Sequence, residues 1–285
     1  MQISCLPISF FKELSTGEMS IGEWARYGKD LGLDGIDISM AFLQNHTPVY
    51  LNGVKRELAE AGMTIVMATT YPDFTCGDPA QRKRELAYLV RDIAVCSQLG
   101  IRYLRVLAGQ NHPDISRGEG VEWAVRNLLA AQEHAARFGV ELVYEDHAKP
   151  GAWEYIDFSH PTDIFLEIAG RLRGSGIGIN YDTGNITAYG DDTLQVLPKV
   201  IDQVRTVHVS DMAERGRFSP VVIGTGVTPN RELFRLLRRH GYDGWLCIEE
   251  ASGTGMEGIQ TAVAFTREAW AAACPRASGM GRTGG

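Results

Sequence analysis

ARFGVELVYED, residues 136–146, is the stretch whose reading decides the fold. A helix-forming segment runs into Gly139, and the glycine is followed by a short apolar run that ends in acid. Glycine accepts the left-handed conformation at a helix C-terminus, where a Cβ is disfavoured. The same unit recurs in GKDLGLDGIDIS (28–39), LAEAGMTIVMATT (58–70), CSQLGIRYLRVLA (96–108) and LRRHGYDGWLCIEE (237–250). GSGIGINYDTG (174–184) keeps the glycines and the strand, and VIDQVRTVHVSD (200–211) keeps the helix and strand without the glycine. With an opening strand over residues 1–6 this makes eight strands. Their apolar runs lack alternation, as a parallel sheet buried on both faces requires. Alternating strands and helices mean a doubly wound sheet or a closed barrel. Eight units without a second domain favour the barrel, so we expect an α/β protein with one (β/α)8 TIM barrel over residues 1–272.

The connecting segments carry helix signals. Asp78 before Pro79 reads as an N-cap with proline at the first helical position, and Gln81 has capping-box spacing. Leu86, Leu89, Val90, Ile93 and Cys96 then form an apolar stripe at helical period. Asn230 reads as the cap of the helix bearing Leu233, Leu236 and Leu237. From residue 273 to 285 the chain turns small and polar, which suits a flexible tail or a contact in a homo-oligomer.

Composition narrows the function. Of 285 residues, 44% are hydrophobic and 22% charged, an ordinary balance for a soluble domain with a sizeable core. The net charge of −7 argues against a nucleic-acid partner, which needs a positive footprint. No run is apolar and long enough to span a membrane, and the N-terminus lacks the basic start of a secretory signal. The five cysteines, Cys5, Cys76, Cys96, Cys247 and Cys274, are scattered without CxxC spacing. That pattern suits the reducing cytoplasm and offers no thiolate zinc site.

Barrels of this kind do their chemistry at the C-terminal ends of the strands. There strand five closes on Glu145, strand six on Asp182, strand seven carries His208, and strand eight closes on Glu249. Three acids at one barrel mouth repel one another unless a positive charge sits between them, and a divalent metal supplies it. Mixed carboxylate and imidazole donors suit Mn²⁺, Co²⁺, Zn²⁺ or Mg²⁺.

At these motifs the chain resembles the sugar isomerase/epimerase superfamily of xylose isomerase-like barrels. That group includes ketose 3-epimerases, hydroxypyruvate isomerase, inosose dehydratase and endonuclease IV. The resemblance runs from about residue 1 to 272 and is carried by GLDGIDI, the E-D-H closing strand five, YDTGN, VHVSD followed by IGTGV, and GYDGWLCIEE. It implies one divalent cation, most often Mn²⁺, on Glu145, Asp182, His208 and Glu249, with Glu145 and Glu249 doubling as acid and base. Glu250 rivals Glu249, but alternation sends the two to opposite sides and the family's ligand directly follows the apolar strand. The implied chemistry is proton transfer next to a carbonyl through a metal-stabilised enediolate. Isomerisation and epimerisation are its outcomes, and a lyase outcome, as in a keto-cyclitol dehydratase or a 3-keto-glycoside eliminase, is the alternative.

The residues that would choose a carbohydrate substrate lie on the rim. His147 follows Glu145 by two, and the loop 146–163 brings Lys149, Trp153 and Tyr155. Tyr71 and Phe74 follow strand three, and His112 follows strand four. Ketose 3-epimerases carry a substrate-binding histidine where this chain has Asn185, a departure that counts against that activity. Asp211 is placed to orient His208 or a hydroxyl, and Arg217 to neutralise an oxyanion. The glycine clusters GSGIGIN and IGTGVTPN lack the strand–GxGxxG–helix order of a nucleotide loop. Without a phosphate cradle, the expected substrate is an unphosphorylated ketose, cyclitol or keto-glycoside. An apurinic endonuclease needs further metal-binding histidines, and strands two to four instead end in Ser39, Thr69 and Ala108.

Overall fold

Residues 136–146 fold as their sequence reads. A helix over Arg117–Phe138 stops at Gly139, whose φ of 69° is the left-handed cap, and a strand begins at Glu141. The structure is a computed structural model that describes residues 1–148 and 153–273. Its strands are β1 (Gln2–Pro7), β2 (Ile36–Ser39), β3 (Ile65–Thr69), β4 (Tyr103–Val106), β5 (Glu141–Glu145), β6 (Gly178–Asp182), β7 (Val204–Val209) and β8 (Trp245–Glu250). They form one parallel sheet in the order β1-β8-β7-β6-β5-β4-β3-β2. β1 pairs with β8 from Gln2 opposite Trp245 to Pro7 opposite Glu250. At the remaining seam the Asp34 amide donates to the Ile3 carbonyl (2.8 Å), and Ser4 Oγ donates to Asp37 Oδ2 (2.7 Å). The result is the nearly closed (β/α)8 barrel that the repeat predicts.

Helices between the strands bury one face on the sheet, and their ends are held by local chemistry. Ser20 and Ser116 make complete capping boxes with Glu23 and Glu119. Asp78 caps its helix by accepting from the Ala80 amide (2.8 Å), with Pro79 at the first position. Gln81 does not complete a box there, because its amide turns to Glu85 (2.6 Å). Asn230 is likewise no cap: it is the first residue of the helix Asn230–Arg239, and its amide donates to the Ser210 carbonyl (3.0 Å). That bond ties the helix to the end of β7, a long-range contact that outweighs the local capping preference. The last helix, Gly255–Ala272, completes the ring. Most of the expected tail, from Cys274, lies outside the described residues, as does Lys149.

Alternation sorts the barrel's interior into layers. Met67, Tyr103, Val143 and Cys247, from β3, β4, β5 and β8, pack together as an apolar plug. One step towards the C-terminal ends the same inward faces present Arg105, Glu145, Asp182, His208 and Glu249, all buried. The plug closes the floor of the barrel beneath these five groups.

Candidate metal centre at the barrel mouth

Glu145 is gripped at both oxygens. Its Oε1 accepts from Asn180 Nδ2 (2.7 Å) and lies 2.5 Å from His208 Nδ1, while Oε2 is 3.2 Å from Arg105 Nε. Asp182 Oδ1 accepts from Ser210 Oγ (2.5 Å) and from the backbone amides of Gly184 (2.8 Å) and Asn185 (3.0 Å). His208 Nδ1 also stands 3.8 Å from Glu249 Oε2. Donor atoms of Glu145, Asp182 and His208 fall within 4.8 Å of one another, a potential site for a metal ion. The neighbouring Glu250 faces away: it accepts from the Ser252 amide (2.8 Å) and from the hydroxyls of Ser9 and Ser252.

The electrostatics fit a cation. Burial on its own would raise the Glu145 carboxyl, yet the Arg105 guanidinium and His208 override it and hold the group below the ordinary carboxylate range. For His208, burial would lower the imidazole, but the charges of Glu145 and Glu249 prevail and raise it. Burial and the neighbouring Asp182 charge push the Asp146 carboxyl well up. Acidic groups this crowded and this dry call for a compensating positive charge, and a divalent ion among oxygen and nitrogen donors would supply it. His208 Nδ1 is engaged by Glu145, while its Nε2 is buried without a hydrogen-bond partner among the described residues.

A family model described as xylose isomerase-like TIM barrel matches residues 25–269. The chain belongs to that family. A Streptomyces coelicolor protein that carries the name hydroxypyruvate isomerase is 28% identical over 240 residues, covering 78% of this chain and 82% of the relative. An inosose dehydratase of Geobacillus thermodenitrificans is 29% identical over 148 residues, covering 45% of this chain and 47% of its own length. An L-ribulose-5-phosphate 3-epimerase of Escherichia coli is 25% identical over 289 residues, covering 96% of this chain and 97% of the relative. Among solved structures, the IOLI protein with a bound zinc atom superposes with a TM-score of 0.79 at 16% identity, covering 96% of this chain and 99% of that one. The homologues of this xylose isomerase-like barrel are thus enzymes: isomerases, epimerases and a dehydratase. The structural likeness, at such low identity, bears on the fold alone.

Within this family member the rim residues separate into two groups. Tyr71, His147 and Trp153 meet edge-on, with ring centroids 5.8 to 6.0 Å apart, and Tyr71 lies 4.5 Å from the Arg105 guanidinium. Asn185, Asp211 and Arg217 are engaged elsewhere. Asn185 Nδ2 donates to the Asp146 carbonyl (2.7 Å), although its Oδ1 has no hydrogen-bond partner among the described residues. Asp211 accepts from the amides of Met212, Gly224, Gly226 and Thr228 at 2.9 to 3.0 Å, fastening the loop after β7. Arg217 is a solvated side chain paired with Glu214 (3.1 Å).

Phe74 is buried in the core, and His112 Nε2 lies 2.8 Å from Asp73 Oδ2. Asp73, Cys76 and His112 form a second cluster of metal-binding residue types. The Asp73 carboxylate, however, is already filled by Thr75 Oγ1, the Gln110 amide, Gln110 Nε2 and His112. It is a knot joining the loops after β3 and β4. Gly109 makes that approach possible: a Cβ there would sit 2.3 Å from Thr75 Oγ1 and 2.7 Å from Asp73 Oδ1. Arg105, Asn180 and Asp157 escaped the sequence reading. The first two had a signal, a charge or an amide on the inward parity of a buried strand. Asp157, in a loop, had none.

Proposed function

We propose that this chain is a divalent-metal-dependent sugar isomerase or epimerase acting on an unphosphorylated ketose, cyclitol or keto-glycoside in the cytoplasm. The observation that carries it is the convergence of Glu145, Asp182 and His208, with Glu249 beside them, at the mouth of a barrel whose relatives are isomerases and epimerases. Those four residues are the proposed ligands of one ion, Mn²⁺ by preference, with Mg²⁺, Co²⁺ and Zn²⁺ suited to the same donors. When bound, the ion supplies Lewis acidity to a substrate carbonyl. Glu145 and Glu249 are the proposed proton carriers. One takes a proton from the carbon beside the carbonyl, and the other gives one back. Return to the neighbouring carbon isomerises, whereas return to the opposite face of the same carbon epimerises. His147, Trp153 and Tyr71 are the proposed substrate contacts.

A lyase outcome is the second reading, supported by the inosose dehydratase likeness. Metal analysis of the purified protein, then a D₂O screen over ketoses, keto-cyclitols and 3-keto-glycosides, tests both. We expect one divalent ion per chain and deuterium at a carbon next to the carbonyl. An unsaturated product selects the lyase. No bound metal, with no activity restored by Mn²⁺, Mg²⁺, Co²⁺ or Zn²⁺, overturns the proposal.

A further inference from the structure

The segment that carries Trp153 runs back across the loop after β4. Phe158 donates to the Gly109 carbonyl (2.8 Å), and Asn111 donates to the Ile156 carbonyl (2.8 Å). Among the described residues this main-chain ladder stops at Ile156, short of Trp153. From there one side chain takes over the hold. Gln110 Oε1 accepts from the amides of Glu154 (2.8 Å) and Tyr155 (3.0 Å), the two residues directly after Trp153. The Tyr155 ring also packs against His112, with centroids 5.4 Å apart.

The other end of that side chain is anchored. Gln110 Nε2 donates to Asp73 Oδ2 (2.9 Å), and the Gln110 backbone amide donates to Asp73 Oδ1 (3.0 Å). Asp73 is buried, and Thr75 Oγ1 donates to the Gln110 carbonyl (2.6 Å). A primary amide is what this bridge requires, since it donates at one atom and accepts at the other. A carboxylate in its place would set a like charge against Asp73, and a hydrocarbon would make neither bond. The knot that joins the loops after β3 and β4 thus reaches a third loop through Gln110.

What it reaches is the aromatic wall of the mouth. The Trp153 ring stands edge-on to Tyr71 (5.8 Å, 88°) and to His147 (6.0 Å, 80°), and Tyr71 lies over the Arg105 guanidinium that pairs with Glu145. We infer that Gln110 is a positioning residue that sets where Trp153 stands at the barrel mouth, and through Trp153 how tightly a sugar is held. The inference deepens the substrate contact proposed above for Trp153 and rests on it. Among the described residues the Gln110 side chain bonds only to Asp73 and the two loop amides, so its effect falls on substrate affinity and not on the chemical step.

The test uses the full chain loaded with Mg²⁺ and labelled with 5-fluorotryptophan, with xylitol as a polyol that needs no turnover. The Trp153 ¹⁹F resonance is the one absent from Trp153→Phe. We expect xylitol to shift it. Gln110→Ala should shift or split it, leave those of Trp24, Trp245 and Trp270 in place, and weaken xylitol binding about tenfold. Gln110→Glu should do the same, and combining it with Asp73→Asn, which restores a donor facing an acceptor, should return both the resonance and the affinity. On a substrate that the D₂O screen identifies, Gln110→Ala should raise KM about tenfold and leave kcat within about twofold. A Trp153 resonance that Gln110→Ala leaves unmoved overturns the inference. So does a wild-type resonance indifferent to xylitol, an unchanged xylitol affinity in Gln110→Ala, or a change spread over all the tryptophans. If the ¹⁹F results hold but the D₂O screen finds no reaction, the positioning role stands and the proposed isomerase or epimerase activity fails. If the screen finds a reaction whose KM ignores Gln110→Ala, the activity stands and the positioning role fails.

Discussion

At the scale of the residue, the site depends on charges that only other charges make tolerable. Glu145→Gln and Glu249→Gln keep the shape of the side chain and remove its charge. Each should cut turnover by about 10²- to 10⁴-fold, the range for losing a general acid or base, with Glu145→Gln also binding metal more weakly. Single-turnover kinetics beside metal analysis separates the two effects. A Glu249→Gln protein with full activity would remove Glu249 from the mechanism. Asp37 makes a different point. Burial pushes its carboxyl up to about 6, against hydrogen bonds from Ser4 and Met67 and the nearby His208. A folded-state value above the unfolded 3.8 means that its contribution to stability is complete below about pH 4 and is lost as pH climbs through 6. Asp37→Asn removes that loss. Between about pH 5 and pH 8, in EDTA, the variant should gain about 1.5 kcal/mol relative to wild type. Urea unfolding at the two pH values measures it, and an unchanged difference would show that Asp37 is not raised.

At the scale of the element, strands and loops differ in how much of them a sequence discloses. A strand in a closed barrel has period two, so knowing that Cys247 packs in the plug places Glu249 at the mouth and Glu250 outside it. That rule made the inward placement of the proposed ligands legible one by one, and the glycine caps marked where strands begin. Loops carry no such period. Asp211, three residues after His208, was expected to serve the imidazole or a substrate, yet its carboxylate collects four loop amides instead. Asn185 and Asn230 are likewise settled by distant carbonyls, of Asp146 and Ser210, that no local pattern announces. Arg105 was overlooked because a charge inside YLRVL reads as an interruption of a core strand, when its partner, Glu145, lies on the next strand. The Asp211 clamp has its own consequence. Asp211→Ala leaves several amide donors without their acceptor and should cost on the order of 3 kcal/mol. Hydrogen exchange should quicken at Gly224, Gly226 and Thr228 while the strands stay protected. Uniform exchange across the barrel would mean that the loop is not held by Asp211.

At the scale of the whole molecule, the proposed ion and the proton on His208 compete for the same place. Without metal, Glu145 and Glu249 raise the imidazole above its ordinary value although burial opposes them. The stability this gives the metal-free barrel is present below the unfolded histidine value, about 6.5, and is lost as pH rises through the higher folded value. Metal binding has the opposite slope, since the proton must leave before the ion can occupy the site, so affinity rises across the same window. The melting temperature in EDTA should therefore fall between about pH 6 and pH 8.5, and the gap between loaded and stripped protein should widen. At a metal concentration 100 times the dissociation constant the stabilisation is about 2.7 kcal/mol. For a barrel of this length that is a shift of roughly 5 to 10 °C. Calorimetric scans with Mn²⁺ and with EDTA at each pH read both quantities. A gap that narrows as pH rises would mean that His208 does not give up its proton to the ion, and would take it out of the ligand set while leaving the carboxylates to be tested one at a time.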